Sequence, residues 1–135
     1  MPSQFTLGKK ERLKRRKIIE QLFSEGKGIN SGPIRATYKF YLNTLEHSLQ
    51  AGFTASSRQF KKAADRNRIK RLLRESYRLQ KSSLQEKLQL EQKQLAVFFI
   101  YTGKEMPAFA QLQEPMAVIL NKLIKRLNEN ISPVT

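Results

Sequence analysis

The run Ala63-Ala64-Asp65-Arg66-Asn67-Arg68-Ile69-Lys70-Arg71-Leu72-Leu73-Arg74-Glu75-Ser76-Tyr77-Arg78 constrains this chain more than any other stretch. At about 100° per residue, Ile69, Leu72, Leu73, Ser76, Tyr77 and Leu79 fall on one side of a helix. Asn67, Lys70, Arg71, Arg74 and Arg78 fall on the other, with Arg66 and Arg68 at the flanks. One side can bury itself and the other is a cationic strip. From Arg58 to Lys81 only Asp65 and Glu75 are acidic, so the strip repels itself unless a polyanion relieves it. It is rich in Arg, whose planar fork suits phosphates and base edges better than an ammonium does. A solvated basic face is the plain alternative. The scarcity of interleaved acids favours nucleic-acid binding.

Charge elsewhere is also localised. Of 26 Lys and Arg residues, seven lie in residues 1–17 and ten in residues 58–81, within a formal net charge of +15. Neither stretch has the wide apolar face of an interfacial membrane helix. No apolar run approaches the roughly 18–20 residues needed to span a bilayer, and no secretory signal is evident, so a cytoplasmic location is expected. Cysteine is absent, which excludes disulfides and thiolate metal sites.

The 135 residues suit one domain, 1–135, with residues 1–8 loose and 131–135 a tail. A helix is expected from Lys9 to Ser24, stopped by Gly26 and Gly28. Gly26-Lys27-Gly28 lacks the spacing of a phosphate-binding loop. After Pro33, Ile34, Ala36, Tyr38, Phe40 and Leu42 alternate with Arg35, Thr37, Lys39, Tyr41 and Asn43, as in a strand with one buried face. A second strand is read from Leu49 to Ser57. Arg58 to Lys62 forms a basic connection, with Lys61 and Lys62 leading into the cationic helix and Phe60 as its anchor. The helix runs to Leu79, and the polar segment Lys81–Gln94 extends it before a loop. Leu95–Tyr101 is a buried strand. Pro115 opens a last amphipathic helix ending near Asn128. Helices packed on a small mixed sheet follow, an α+β sandwich with three helices.

The run Arg66-Asn67-Arg68-Ile69-Lys70-Arg71-Leu72-Leu73-Arg74-Glu75 closely resembles the Arg-Asn-Arg signature of the protein subunit of bacterial ribonuclease P. A looser likeness covers most of the chain. The resemblance implies a four-stranded sandwich with the signature helix in a left-handed crossover between parallel strands, where pattern alone favours the right-handed form. Three strands are legible, and the fourth is expected from a split of residues 34–57.

The resemblance also implies a division of labour. A catalytic RNA subunit holds magnesium and removes the 5′ leader of precursor tRNA, while the protein binds that RNA and grips the leader. No cofactor bound by protein side chains and no obligate protein partner are expected. By position, Arg66, Asn67, Arg68, Lys70, Arg71 and Arg74 would contact the catalytic RNA, with Arg78, Arg58, Lys61 and Lys62 beside them. The family's first helix offers two aromatics to the leader. Here Phe23 matches one, and Ile19 stands at the other. The strand aromatic is Tyr38 or Tyr41, with Lys39 between them; alternation favours Tyr41, and the alignment favours Thr37 or Tyr38. This chain carries one extra residue between Gly52 and the signature helix, and Ser56-Ser57-Arg58 stands where the family shows more Lys. The residues themselves are poor in catalytic equipment: His47 is the single histidine, and no His/Asp/Glu cluster has metal-ligand spacing. A structural RNA-binding protein of ribosomal type and a stand-alone nuclease are the competing readings.

Overall fold

The computed structural model describes residues 8–129. The expected loose start and C-terminal tail lie outside the described residues, apart from Gly8. A 3-10 turn at Lys9–Glu11 precedes α1 (Arg16–Glu25), β1 (Lys27–Ser31), β2 (Ile34–Tyr41) and β3 (Leu49–Ala55). Then come α2 (Ala63–Gln80), α3 (Ser82–Glu91), β4 (Gln94–Tyr101) and α4 (Phe109–Glu129). The four strands form one mixed sheet in the order β1-β2-β4-β3. β2 pairs antiparallel with β1 and β4. β3 and β4 are parallel and are joined through α2 and α3.

The α+β architecture is as expected, with four α-helices rather than three. The fourth strand is β1, not a division of residues 34–57. Its sequence, Lys-Gly-Ile-Asn-Ser, holds one large apolar residue, so neither alternation nor strand propensity marks it. It is held by the two-residue turn Gly32-Pro33, with Gly32 at φ +55°, and glycine takes this left-handed backbone without steric cost. Gly28 therefore lies inside a strand and does not end a helix. Gly26 does end α1: its N–H donates to the Leu22 carbonyl at 2.9 Å. A Cβ there would sit 2.4 Å from that oxygen and 2.9 Å from the Tyr38 carbonyl, so only glycine fits.

The expected helix from Lys9 is interrupted. Arg12 pairs with Ala51 at the edge of β3, and the Leu13 N–H donates to the Ala51 carbonyl at 2.9 Å. Extended backbone here lets Leu13 bury beside Ile18 and Leu22. The polar segment after α2 is a separate helix, α3, buried through Leu84 and Leu88. It ends at Gln92 in the left-handed conformation, where the Lys93 N–H reaches back to the Leu88 carbonyl at 3.0 Å. The last helix starts at Phe109, six residues before Pro115, which lies inside it.

Alternation along β4 sorts the molecule into two apolar layers. Leu95, Val97, Phe99 and Tyr101 join Ile69, Leu73 and Tyr77 of α2 and the buried side of α4 in the main core. Phe99 and Tyr77 meet Phe53 in an aromatic cluster with centroids 5.4–5.6 Å apart. On the other face, Ala96 joins a smaller cluster with Leu13, Ile18, Leu22 and Leu45. The short α1 covers only part of that face.

Candidate RNA interface

Burial along α2 follows the two-sided pattern. Ile69, Leu73, Ser76 and Tyr77 are buried. Asn67, Arg68 and Arg71 are exposed, with Lys70 and Arg74 half-exposed. Asn67, Arg71, Arg74 and Arg78 succeed one another at the i, i+4, i+7, i+11 spacing of one helix edge. Two apolar positions differ from expectation. Leu72 packs against the core only in part, and Leu79 is exposed at 41%. The buried arc centres on Ile69, Leu73 and Ser76, and Leu72 and Leu79 fall past its rim.

Three cations of this region are already engaged. The Arg66 guanidinium donates to the carbonyls of Phe60 at 2.7 Å and Lys61 at 2.9 Å, fastening the incoming segment to the helix start. Arg78 pairs with Glu75 at 2.6 Å. Lys81 is buried and pairs with Glu11. Arg58, Lys61 and Lys62 are exposed ahead of the helix, and Phe60 is buried below them, 6.0 Å from the Tyr101 ring.

The second candidate surface lies where α1 leaves the sheet uncovered. Phe23 is 54% exposed, its ring 5.5 Å from that of Phe98. Ile19 is half-buried in the small cluster. Tyr41 belongs to the same face and donates to Gln21 Oε1 at 2.7 Å; burial is the main cause that pushes its hydroxyl above the ordinary tyrosine range. Lys39 donates to Glu25 at 2.8 Å, a hydrogen bond that raises its pKa, and its ammonium lies 5.8 Å from the Tyr41 ring centre. Tyr38 points the other way. It is 3% exposed, and its hydroxyl accepts a 2.7 Å hydrogen bond from Arg126 of α4. Tyr38 therefore has no ring face to offer a ligand, and of the two tyrosines Tyr41 shares the α1 face.

Two residues of this face escape sequence reasoning. Arg35 is exposed and donates to Asn30 Oδ1 at 3.2 Å across the β1–β2 hairpin. It is legible as an outward position of β2 but carries no motif. Phe98 lies in an apolar run whose two faces look alike in sequence, and only the sheet order shows which side it takes.

His47 Nδ1 accepts a 3.4 Å hydrogen bond from the Leu49 N–H. Among the described residues no group of three His, Cys, Asp or Glu side chains could hold a metal ion, and no helix is long and apolar enough to cross a membrane.

A half-covered mixed sheet backed by an arginine-rich helix defines an RNA-binding protein of the α+β class. The family model described as Ribonuclease P matches residues 7–126. The ribonuclease P protein component of Porphyromonas gingivalis (strain ATCC 33277) is 34% identical over 115 residues, covering 85% of this chain and 84% of the relative. That of Chlorobium phaeobacteroides is 28% identical over 134 residues, covering 92% and 90%. In fold, the chain resembles the Staphylococcus aureus RNase P protein, with TM-score 0.65 and 18% identity over 83% of this chain and 94% of that one. The RNase P protein from Thermotoga maritima gives TM-score 0.62 and 23% identity over 83% and 96%. The chain belongs to the ribonuclease P protein component family. This sets aside the ribosomal and stand-alone nuclease readings.

Proposed function

We propose that this protein docks on the catalytic RNA subunit of ribonuclease P through α2 and holds the single-stranded 5′ leader of precursor tRNA on the sheet face beside α1. The observation that carries the proposal is the outward row Asn67, Arg71 and Arg74 on a helix whose opposite side is buried in the core. A helix already seated in the core presents these side chains with no backbone left to order, and phosphates met there release counterions. Arg68, Lys70, Arg58, Lys61 and Lys62 broaden the basic surface. Arg66 and Arg78 contribute charge while engaged in their internal contacts.

Leader bases would stack on Phe23 and lie along Tyr41, with Ile19 as an apolar flank and Lys39 and Arg35 facing the backbone phosphates. Tyr38 is left out of this set because it is packed beneath the sheet. We assign the magnesium and the hydrolytic step to the RNA subunit, as the family resemblance implies, and no catalytic step to a side chain here. Working beside RNA and tRNA, the protein belongs in the cytoplasm.

The test is cleavage of a precursor tRNA by this protein alone, by the catalytic RNA alone at low magnesium, and by both together. The expected result is 5′ processing that needs the RNA and is raised by the protein. Cleavage by the protein alone would overturn the division of labour. Full stimulation by an Arg68→Ala/Arg71→Ala/Arg74→Ala variant would overturn the role of α2.

A further inference from the structure

The family resemblance implies two aromatics on the first helix, and this chain has Ile19 where one of them would stand. The structure offers another ring from a different element. Phe98 of β4 lies opposite Gly52 of β3 in the parallel register. A Cβ on Gly52 would come within 2.6 and 2.7 Å of two carbons of the Phe98 ring. The ring thus fills the space that a side chain at position 52 would take. In that position it reaches Phe23, with centroids 5.5 Å apart and planes inclined at 59°. It packs on the small cluster that also receives Ile19, yet remains partly exposed. Arg35 belongs to the same sheet face, its register partner Ile100 being the next residue along β4 to point the way Phe98 does.

We infer that Phe98 is a second stacking surface for unpaired leader bases, taking over the contact that Ile19 cannot make, and that Gly52 is the positioning residue that lets it do so. This rests on the leader-binding reading above. A base needs a flat π-face, which isoleucine lacks and phenylalanine supplies regardless of base identity. Two inclined rings in contact offer adjacent faces to successive bases, so the surface grips single strands without reading sequence.

The test uses the holoenzyme reconstituted with the catalytic RNA, measuring binding of precursor tRNA with an unpaired leader against mature tRNA. Phe98→Leu keeps apolar volume and removes the π-face. It should weaken leader-bearing tRNA by about 5- to 140-fold, the range for one base stack removed, and leave mature tRNA unchanged. Phe98→Tyr should bind like the parent. Gly52→Ala should give a leader-specific loss in the same direction by lifting the ring. If Phe23→Ala loses leader affinity while Phe98→Leu does not, the inference falls and the leader-binding reading stands. If neither variant affects the difference between the two ligands, both fall. An equal loss for both ligands in Phe98→Leu would make the ring structural and overturn the inference.

Discussion

Arg66 is tied by its side chain to the carbonyl of Phe60 at 2.7 Å, six residues back along the chain. The first arginine of the cationic strip therefore holds the approach to α2 in place, while Arg68, Arg71 and Arg74 succeed it along the helix toward solvent. Lys62 at the helix start makes no side-chain cap, and the Arg66 side chain, which also reaches the Lys61 carbonyl at 2.9 Å, helps fasten that end.

Arg66→Ala should accordingly lower stability by about 1–3 kcal/mol, the range for losing hydrogen bonds from a charged group. Arg71→Ala and Arg74→Ala should stay within about 0.5 kcal/mol of the parent, as exposed substitutions do. In RNA binding the order should reverse in kind. Each of the latter two should weaken affinity and flatten the dependence on salt by roughly 0.7–0.9 for every phosphate that is no longer neutralised. Denaturant unfolding and a salt titration of binding check the two halves separately.

The depth of the apolar side gives a second comparison. Leu73 is fully buried, and Leu73→Ala should cost about 2–5 kcal/mol. Leu72 is only partly covered, so Leu72→Ala should cost clearly less, and Lys70→Ala should cost almost nothing. Equal losses at the two leucines in chemical unfolding would contradict the seating of the helix.

The Glu11–Lys81 pair links the 3-10 turn to the junction of α2 and α3. The Lys81 side chain is only 2% exposed and that of Glu11 is 16% exposed. Glu11→Ala takes an acidic partner from a buried ammonium and is expected to lower stability by up to about 3–5 kcal/mol, and adding Lys81→Met should recover much of it by putting apolar packing in place of the charge. The thermal midpoints of the two single variants and the double variant measure this.

Tyr77 supplies a pH test. Its ring is wholly buried, and its hydroxyl has no hydrogen-bond partner among the described residues. Burial, with a lesser push from Glu11, holds its pKa well above the usual tyrosine value. Above a pH of about 10 the unfolded chain releases this proton and the folded chain keeps it, so the unfolded state binds fewer protons and stability falls as pH rises. Below that range the contribution is intact. Tyr77→Phe should remove this part of the alkaline loss and be neutral or stabilising at pH 7. In unfolding curves for both proteins between pH 7 and 11, the gap between the two should widen only in the alkaline limb.

Local pattern made some of the molecule legible and contact at a distance hid the rest. Ile34, Ala36 and Tyr38 announce β2 because period two is written in adjacent residues, and the same alternation put Tyr41 on the opposite face from Tyr38. Charge and spacing marked the outward row on α2. β1 was hidden because Ile29 alone carries its apolar side. The start of α4 was hidden because Pro115 imitates a helix opening. Lys81 reads as one more surface cation until Glu11, seventy residues earlier, is seen beside it. Phe98 reads as core until the sheet order turns it toward α1.

The stretch ahead of α1 has a consequence for how molecules of this protein meet one another. β3 is a border strand of the sheet, and a bare border invites another chain to add itself as a further strand. Here the Leu13 N–H donates to the Ala51 carbonyl, and the Gln50 side-chain amide donates to the carbonyl of Lys10 at 2.8 Å. The chain has sheathed that border with its own backbone. The other border, β1, is five residues long and begins with an exposed lysine, a short charged edge of the kind that discourages pairing. Both borders of the sheet are thus poor templates for strand addition by another copy of the chain.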